Sequence, residues 1–140
     1  MKIYLTYSAK DSVLAQRLMA RLKGGGLQVW NTEEIAPGDN WAKKIGRALD
    51  HSELMLILLT PKAAESDRLR QDIEFALGSE KYEGRILSVF FGPKMEIRKA
   101  IPWILLTQPL IQVDSTKDFD KVVKGIRKLE HHSRASRIHA

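Results

Sequence analysis

Residues 54–61 read Leu54-Met55-Leu56-Ile57-Leu58-Leu59-Thr60-Pro61. Six consecutive apolar side chains leave no polar face, so the run suits a strand covered on both sides, the usual situation in a parallel sheet. Pro61 has no N–H to offer a ladder and closes the run. Outward from this strand, Ile3–Thr6, Leu27–Trp30, Ile86–Phe91 and Leu110–Val113 read as four further strands, rich in β-branched and aromatic residues. Between them the apolar spacing changes to that of helices. Leu14, Leu18 and Leu22 form one stripe over Val13–Lys23, and Gly24-Gly25-Gly26 ends it. Trp41, Ile45, Ala48 and Leu49 turn one face inward over Trp41–Leu49. Leu69, Ile73, Ala76 and Leu77 do the same over Asp67–Leu77, with Gly78 just beyond, and Phe119, Val122, Val123, Ile126 and Leu129 mark a last helix.

Strands alternating with helices over short connections predict an α/β fold: a small doubly wound, flavodoxin-like, five-stranded parallel sheet with helices on both faces. The 140 residues suffice for one domain of ordinary core size. Residues 1–130 are read as that domain and 131–140 as a basic C-terminal tail or linker. There is no cysteine, which excludes disulfides, thiol catalysis and thiolate zinc sites. His131, His132 and His139 crowd the end and leave His51 alone in the body, so no histidine cluster is placed to hold a metal. No run of 18 apolar residues exists and no signal-peptide pattern precedes Ile3; a cytoplasmic location is expected.

The formal net charge is +6, but its location matters more than its size. Lys121, Lys124, Arg127, Lys128, Arg134 and Arg137 face one acid, Glu130, in the last 20 residues, while the first 120 carry 17 bases and 16 acids. The basicity belongs to the C-terminal end, which argues against nucleic acid as the ligand.

In a sheet of order 2-1-3-4-5, ligands sit beyond the C-terminal strand ends where the winding reverses, between strands 1 and 3. That rule nominates Tyr7–Asp11, Asn31–Asn40 and Thr60–Arg70. No GxGxxG and no GxxxxGK[ST] occurs there, so the glycine-rich phosphate cradle is absent. The segments do carry carboxylates, and acids at helix starts often only complement the helix dipole. Asp72 differs, because three residues after Leu69 and four before Ala76 it lies along the edge of the buried stripe. A carboxylate there is a candidate for charge stabilisation or acid–base work. Trp30 and Trp41 flank a ten-residue loop, long for its kind, although tryptophans at such places are more often packing residues.

These segments in order resemble the TIR (Toll/interleukin-1 receptor/resistance) domain family, in its bacterial form. Ile3-Tyr4-Leu5-Thr6-Tyr7-Ser8-Ala9-Lys10-Asp11 is similar to its first box, and Gly26–Asn31 with Ile35–Trp41 to its second box and BB loop. Leu59-Thr60-Pro61 with Ser66 is similar to its LSP strand end, and Arg68–Leu77 to its helix pattern W-x-x-x-E-[IL]-x-x-A-L. Glu83–Val89 and Ile101–Leu105 extend the likeness. The resemblance implies two classes of activity: scaffolds that assemble through TIR–TIR contacts, and enzymes that cleave NAD+ to nicotinamide and ADP-ribose or a cyclic isomer, in antiphage or cell-death signalling. NAD+ would be the substrate, with no cofactor, and assembly into a homo-oligomer through the 32–40 loop is implied; the lack of a long apolar run leads us to expect no membrane partner.

Carried over by position, the enzymes' essential Glu is Asp72 here, with Arg68 in place of the helix aromatic and Thr60 in place of the LSP serine. Tyr7, Ser8 and Asp11 would line the floor under the ribose and nicotinamide, and Trp30 and Asn31 a wall. Pro37, Gly38, Trp41, Thr60, Ser66 and Arg68 complete the implied substrate-binding set. Asp is one methylene shorter than Glu, roughly an ångström of withdrawal, and misplacement on that scale can cost about 100-fold in rate. On side-chain length alone, Asp72→Glu is expected to keep or raise activity. A response-regulator-like domain is a third reading, but strand 3 ends Leu59-Thr60-Pro61 without a phosphoacceptor Asp.

Overall fold

Five strands, β1 (Lys2–Thr6), β2 (Gln28–Trp30), β3 (Leu54–Leu59), β4 (Ile86–Phe91) and β5 (Leu110–Val113), form one parallel sheet in the order β2-β1-β3-β4-β5. The computed structural model describes residues 2–30, 47–48, 50–61, 66–78, 85–92 and 109–139. Three helices accompany the strands: α1 (Ser12–Gly24), α2 (Asp67–Leu77) and α3 (Phe119–His139). The expected doubly wound sheet and its strand order are those observed. Its winding reverses between β1 and β3.

β3 is buried along its whole length, and its alternation divides the core. Leu54, Leu56 and Leu58 join Ile3, Leu5, Leu18, Leu22, Phe119, Val122 and Ile126 on the face covered by α1 and α3. Met55, Ile57 and Leu59 join Tyr4, Leu69, Ile73, Ala76 and Phe90 on the face covered by α2. Each such aliphatic side chain contributes about 1.5–3 kcal/mol when fully buried, so packing on both faces holds the sheet. The register sets Thr6 beside Ile57 and Tyr4 between Trp30 and Met55.

Local chemistry marks the element ends. Ser8 caps a short 3-10 turn over Ala9–Asp11, accepting from the Lys10 N–H at 3.4 Å, and α1 follows from Ser12. After α1 the chain turns through Gly26 at φ 85°, a conformation open to glycine and strained for other residues. On the far side, an added Cβ at Gly125 would stand 2.6 Å from Ile111 Cδ1, so glycine lets α3 lie close on β5. Arg127 donates to the Gly25 carbonyl and ties α3 to the end of α1.

One element departs from expectation. Residues 131–139, read from sequence as a tail or linker, continue the backbone of α3. No Gly or Pro occurs between Ile126 and His139, so nothing local stops the helix. The expected loop Asn31–Asn40 lies outside the described residues. So does the expected helix over Trp41–Leu49, apart from the helical Arg47 and Ala48, the latter buried.

Candidate functional site

β1 alternates, so Ile3, Leu5 and Tyr7 face α1 while Tyr4 and Thr6 face α2. Tyr4 and Thr6 bring two hydroxyls into a largely apolar layer. Opposite them, Asp72 belongs to the same helical stripe as Leu69, Ile73 and Ala76 and is 5% exposed. The Tyr4 hydroxyl donates to Asp72 Oδ2 at 3.0 Å and Thr6 Oγ1 donates to the same oxygen at 2.8 Å. Burying a carboxylate among apolar groups is costly unless hydrogen bonds replace its water, and these two donors do so. Asp72 thus sits inside the buried stripe and not along its edge, because the facing strand supplies the polar partners.

A second carboxylate lies at the same end of the sheet. Asp11 occupies the N-cap position of α1, yet its side chain makes no capping bond. It accepts instead from Thr60 Oγ1 at 2.7 Å, with both residues buried. Thr60 directly follows β3, so this bond joins the C-terminal ends of β1 and β3 across the point where the winding reverses. From its place at the start of α1, Asp11 thus reaches across to the end of β3 by a tertiary hydrogen bond.

Trp30, at the end of β2, packs against the α2-side core next to Tyr4, with Lys2 Nζ 4.3 Å from its ring centroid. Its indole N–H is buried and has no hydrogen-bond partner among the described residues. Ser66 caps α2, accepting from the Leu69 N–H at 3.2 Å. Arg68 stands in the first turn of α2, its side chain outside the description. Tyr7 is buried on the α1 side, so the sheet separates it from Asp72. Asn31, Pro37, Gly38 and Trp41 lie outside the described residues. Among the described residues no cluster of His, Cys, Asp or Glu could hold a metal ion.

The profile of the TIR domain family matches residues 3–127. This chain belongs to the TIR domain family. A metazoan TIR-STING receptor from C. gigas, solved in complex with 2′,3′-cGAMP, superposes with a TM-score of 0.75 over 89% of this TIR domain, at 16% identity. The match spans 38% of that receptor's length. A 2-deoxyribosyltransferase from Bacillus psychrosaccharolyticus superposes with a TM-score of 0.55 at 16% identity, covering 84% of this chain and 89% of that enzyme. At such identities the likeness is one of fold. No curated protein matches the sequence.

The family includes enzymes that cleave NAD+. Around the position that the resemblance assigns to their Glu, this TIR domain gathers Asp72, Tyr4 and Thr6, with Trp30 on the same face. Asp11, Thr60 and Ser8 gather at the neighbouring strand ends. Sequence reading missed Tyr4, Thr6 and Ser88. The signal for the first two was present: a Tyr and a Thr at i and i+2 of a strand share one face, and both carry donors. Ser88 aligns with Ile57 in β4, is fully buried, and its hydroxyl has no hydrogen-bond partner among the described residues. An open groove of about 690 Å³ runs between α1 and α3, past Arg17, Arg21 and Phe119, and so lies across the sheet from Asp72. Among the described residues no helix is long and apolar enough to cross a membrane.

Proposed function

We propose that this TIR domain cleaves NAD+ at the bond between nicotinamide and ribose. The observation that carries the reading is the Asp72 carboxylate, held through Oδ2 by Tyr4 and Thr6 beside the reversal of the sheet's winding. The nicotinamide ring leaves with the bonding electron pair, which neutralises its own positive charge, so no general acid is needed. Positive charge then develops on the ribose at C1′ and its ring oxygen. A carboxylate near this centre stabilises the cation and orients the ribose hydroxyls, as in glycoside hydrolysis. Water completes hydrolysis to ADP-ribose with release of one proton, and attack by a nucleophile within the same molecule gives a cyclic isomer.

A shared fold with a 2-deoxyribosyltransferase supports the reading, since that protein's name also denotes transfer of a pentose, one that lacks the 2′-hydroxyl of ribose. In this proposal Trp30 forms a wall of the site and Asp11, Ser8 and Thr60 its rim, and the enzyme acts as an assembly with further copies of the chain. A role in antiphage or cell-death signalling goes with it.

A second reading is a non-catalytic interaction module. The 5% exposure of Asp72 favours it, because a buried acid satisfied by two hydroxyls is also a good structural residue. Nicotinamide release by wild type and Asp72→Ala, at high protein concentration with and without a crowding agent, decides between them. Turnover that vanishes in the variant supports the enzyme. Turnover that survives it removes Asp72 from the reaction, and no turnover from folded, assembled protein favours the module.

A further inference from the structure

Two hydroxyls on one carboxylate oxygen are more than the minimum needed to bury an aspartate. Oδ2 accepts from Tyr4 at 3.0 Å and from Thr6 at 2.8 Å, so both bonds act on the same atom. Hydrogen bonds of this kind favour the ionised form and fix where its charge lies. The donors differ in reach. Thr6 Oγ1 stands close to the strand backbone, whereas the Tyr4 hydroxyl stands at the far end of a ring that is itself fully buried. Tyr4 is fully buried in the cluster that includes Met55, Ile73 and Phe90, and in so packed a layer its hydroxyl has little freedom to follow a displaced partner.

We propose that Tyr4 and Thr6 are positioning residues for the Asp72 carboxylate and that their hydroxyls fit the site to aspartate in preference to glutamate. The inference rests on the NAD+-cleaving reading and goes beyond it in naming what sets the place of the charge. Glutamate at position 72 adds one methylene against two donors already at hydrogen-bond distance, inside a packed layer. Overfilling of that kind forces side chains off their rotamers. The expectation from side-chain length alone is thereby reversed: Asp72→Glu lowers turnover here. Removing the Tyr4 hydroxyl opens space on that side of the longer carboxylate.

Steady-state nicotinamide release by the full chain tests this, with thermal melts to confirm that each variant is folded. Tyr4→Phe and Thr6→Val each lower kcat roughly 10- to 100-fold, the range for losing a hydrogen bond to a charged group, with KM within about twofold of wild type. Thr6→Ser keeps the hydroxyl and retains most of kcat. Asp72→Glu loses activity, and Tyr4→Phe combined with Asp72→Glu exceeds Asp72→Glu alone. Folded Tyr4→Phe and Thr6→Val with unchanged kcat, or with KM as the quantity that moves, overturn the positioning role while leaving the reaction standing. Asp72→Glu at or above wild-type turnover overturns the fit to aspartate. A wild type with no turnover overturns the reaction itself, and the positioning role with it.

Discussion

Thr60 Oγ1 donates to Asp11 Oδ2 at 2.7 Å, and both residues are buried. This bond links residues 49 positions apart and holds the turn after β1 against the end of β3. It thereby ties together the strand ends on either side of the point where the winding reverses.

Thr60→Val removes the donor and leaves a buried carboxylate oxygen without it. Stability falls by about 1–3 kcal/mol, the usual range for stranding a buried polar group, and Thr60→Ser restores most of it. Urea unfolding of the three proteins measures the difference.

Asp72→Asn retains the volume and one acceptor oxygen but removes the charge. Folding persists, and nicotinamide release drops by at least about 100-fold, because a neutral amide stabilises a developing ribosyl cation far less than a carboxylate does. Circular dichroism alongside the assay separates loss of chemistry from loss of fold.

Ser88→Ala deletes a fully buried hydroxyl that has no partner among the described residues. Such a group contributes its desolvation penalty without a compensating bond, so the variant is more stable by about 1 kcal/mol. A rise in the urea midpoint at unchanged slope is the expected result; a fall would show that the hydroxyl is bonded.

Gly24 and Gly26 have equally open surroundings and opposite consequences on change to alanine. At Gly26 the φ of 85° strains any L side chain, and Gly26→Ala costs about 1–2 kcal/mol. Gly24 closes α1 with no such constraint, so Gly24→Ala gains up to about 1 kcal/mol from helix propensity. Paired thermal melts read both.

Much of the fold was legible because its signals are local. The unbroken apolar run of Leu54–Leu59 required a strand covered on both faces, and the structure ends β3 at the same residues. The spacing of Leu69, Ile73, Ala76 and Leu77 marks α2 within its own eleven residues. In α3 the same local reading stopped early, because the basic segment after Leu129 loses its apolar stripe while keeping its helix-compatible residues.

By itself, the sequence determined the class of fold, since periodicity and spacing are written within a dozen consecutive residues. Asp72 as the leading carboxylate came from the family resemblance, which carries a position over and not a set of contacts. Tertiary structure alone decided the partners. Asp72 meets Thr6 and Tyr4 across separations of 66 and 68 residues, Asp11 turns from its helix cap to Thr60, and Tyr7 falls on the far face of the sheet. A hydroxyl and a carboxylate bond within about 3 Å, and only strand register combined with the seating of a helix on the sheet sets distances that small.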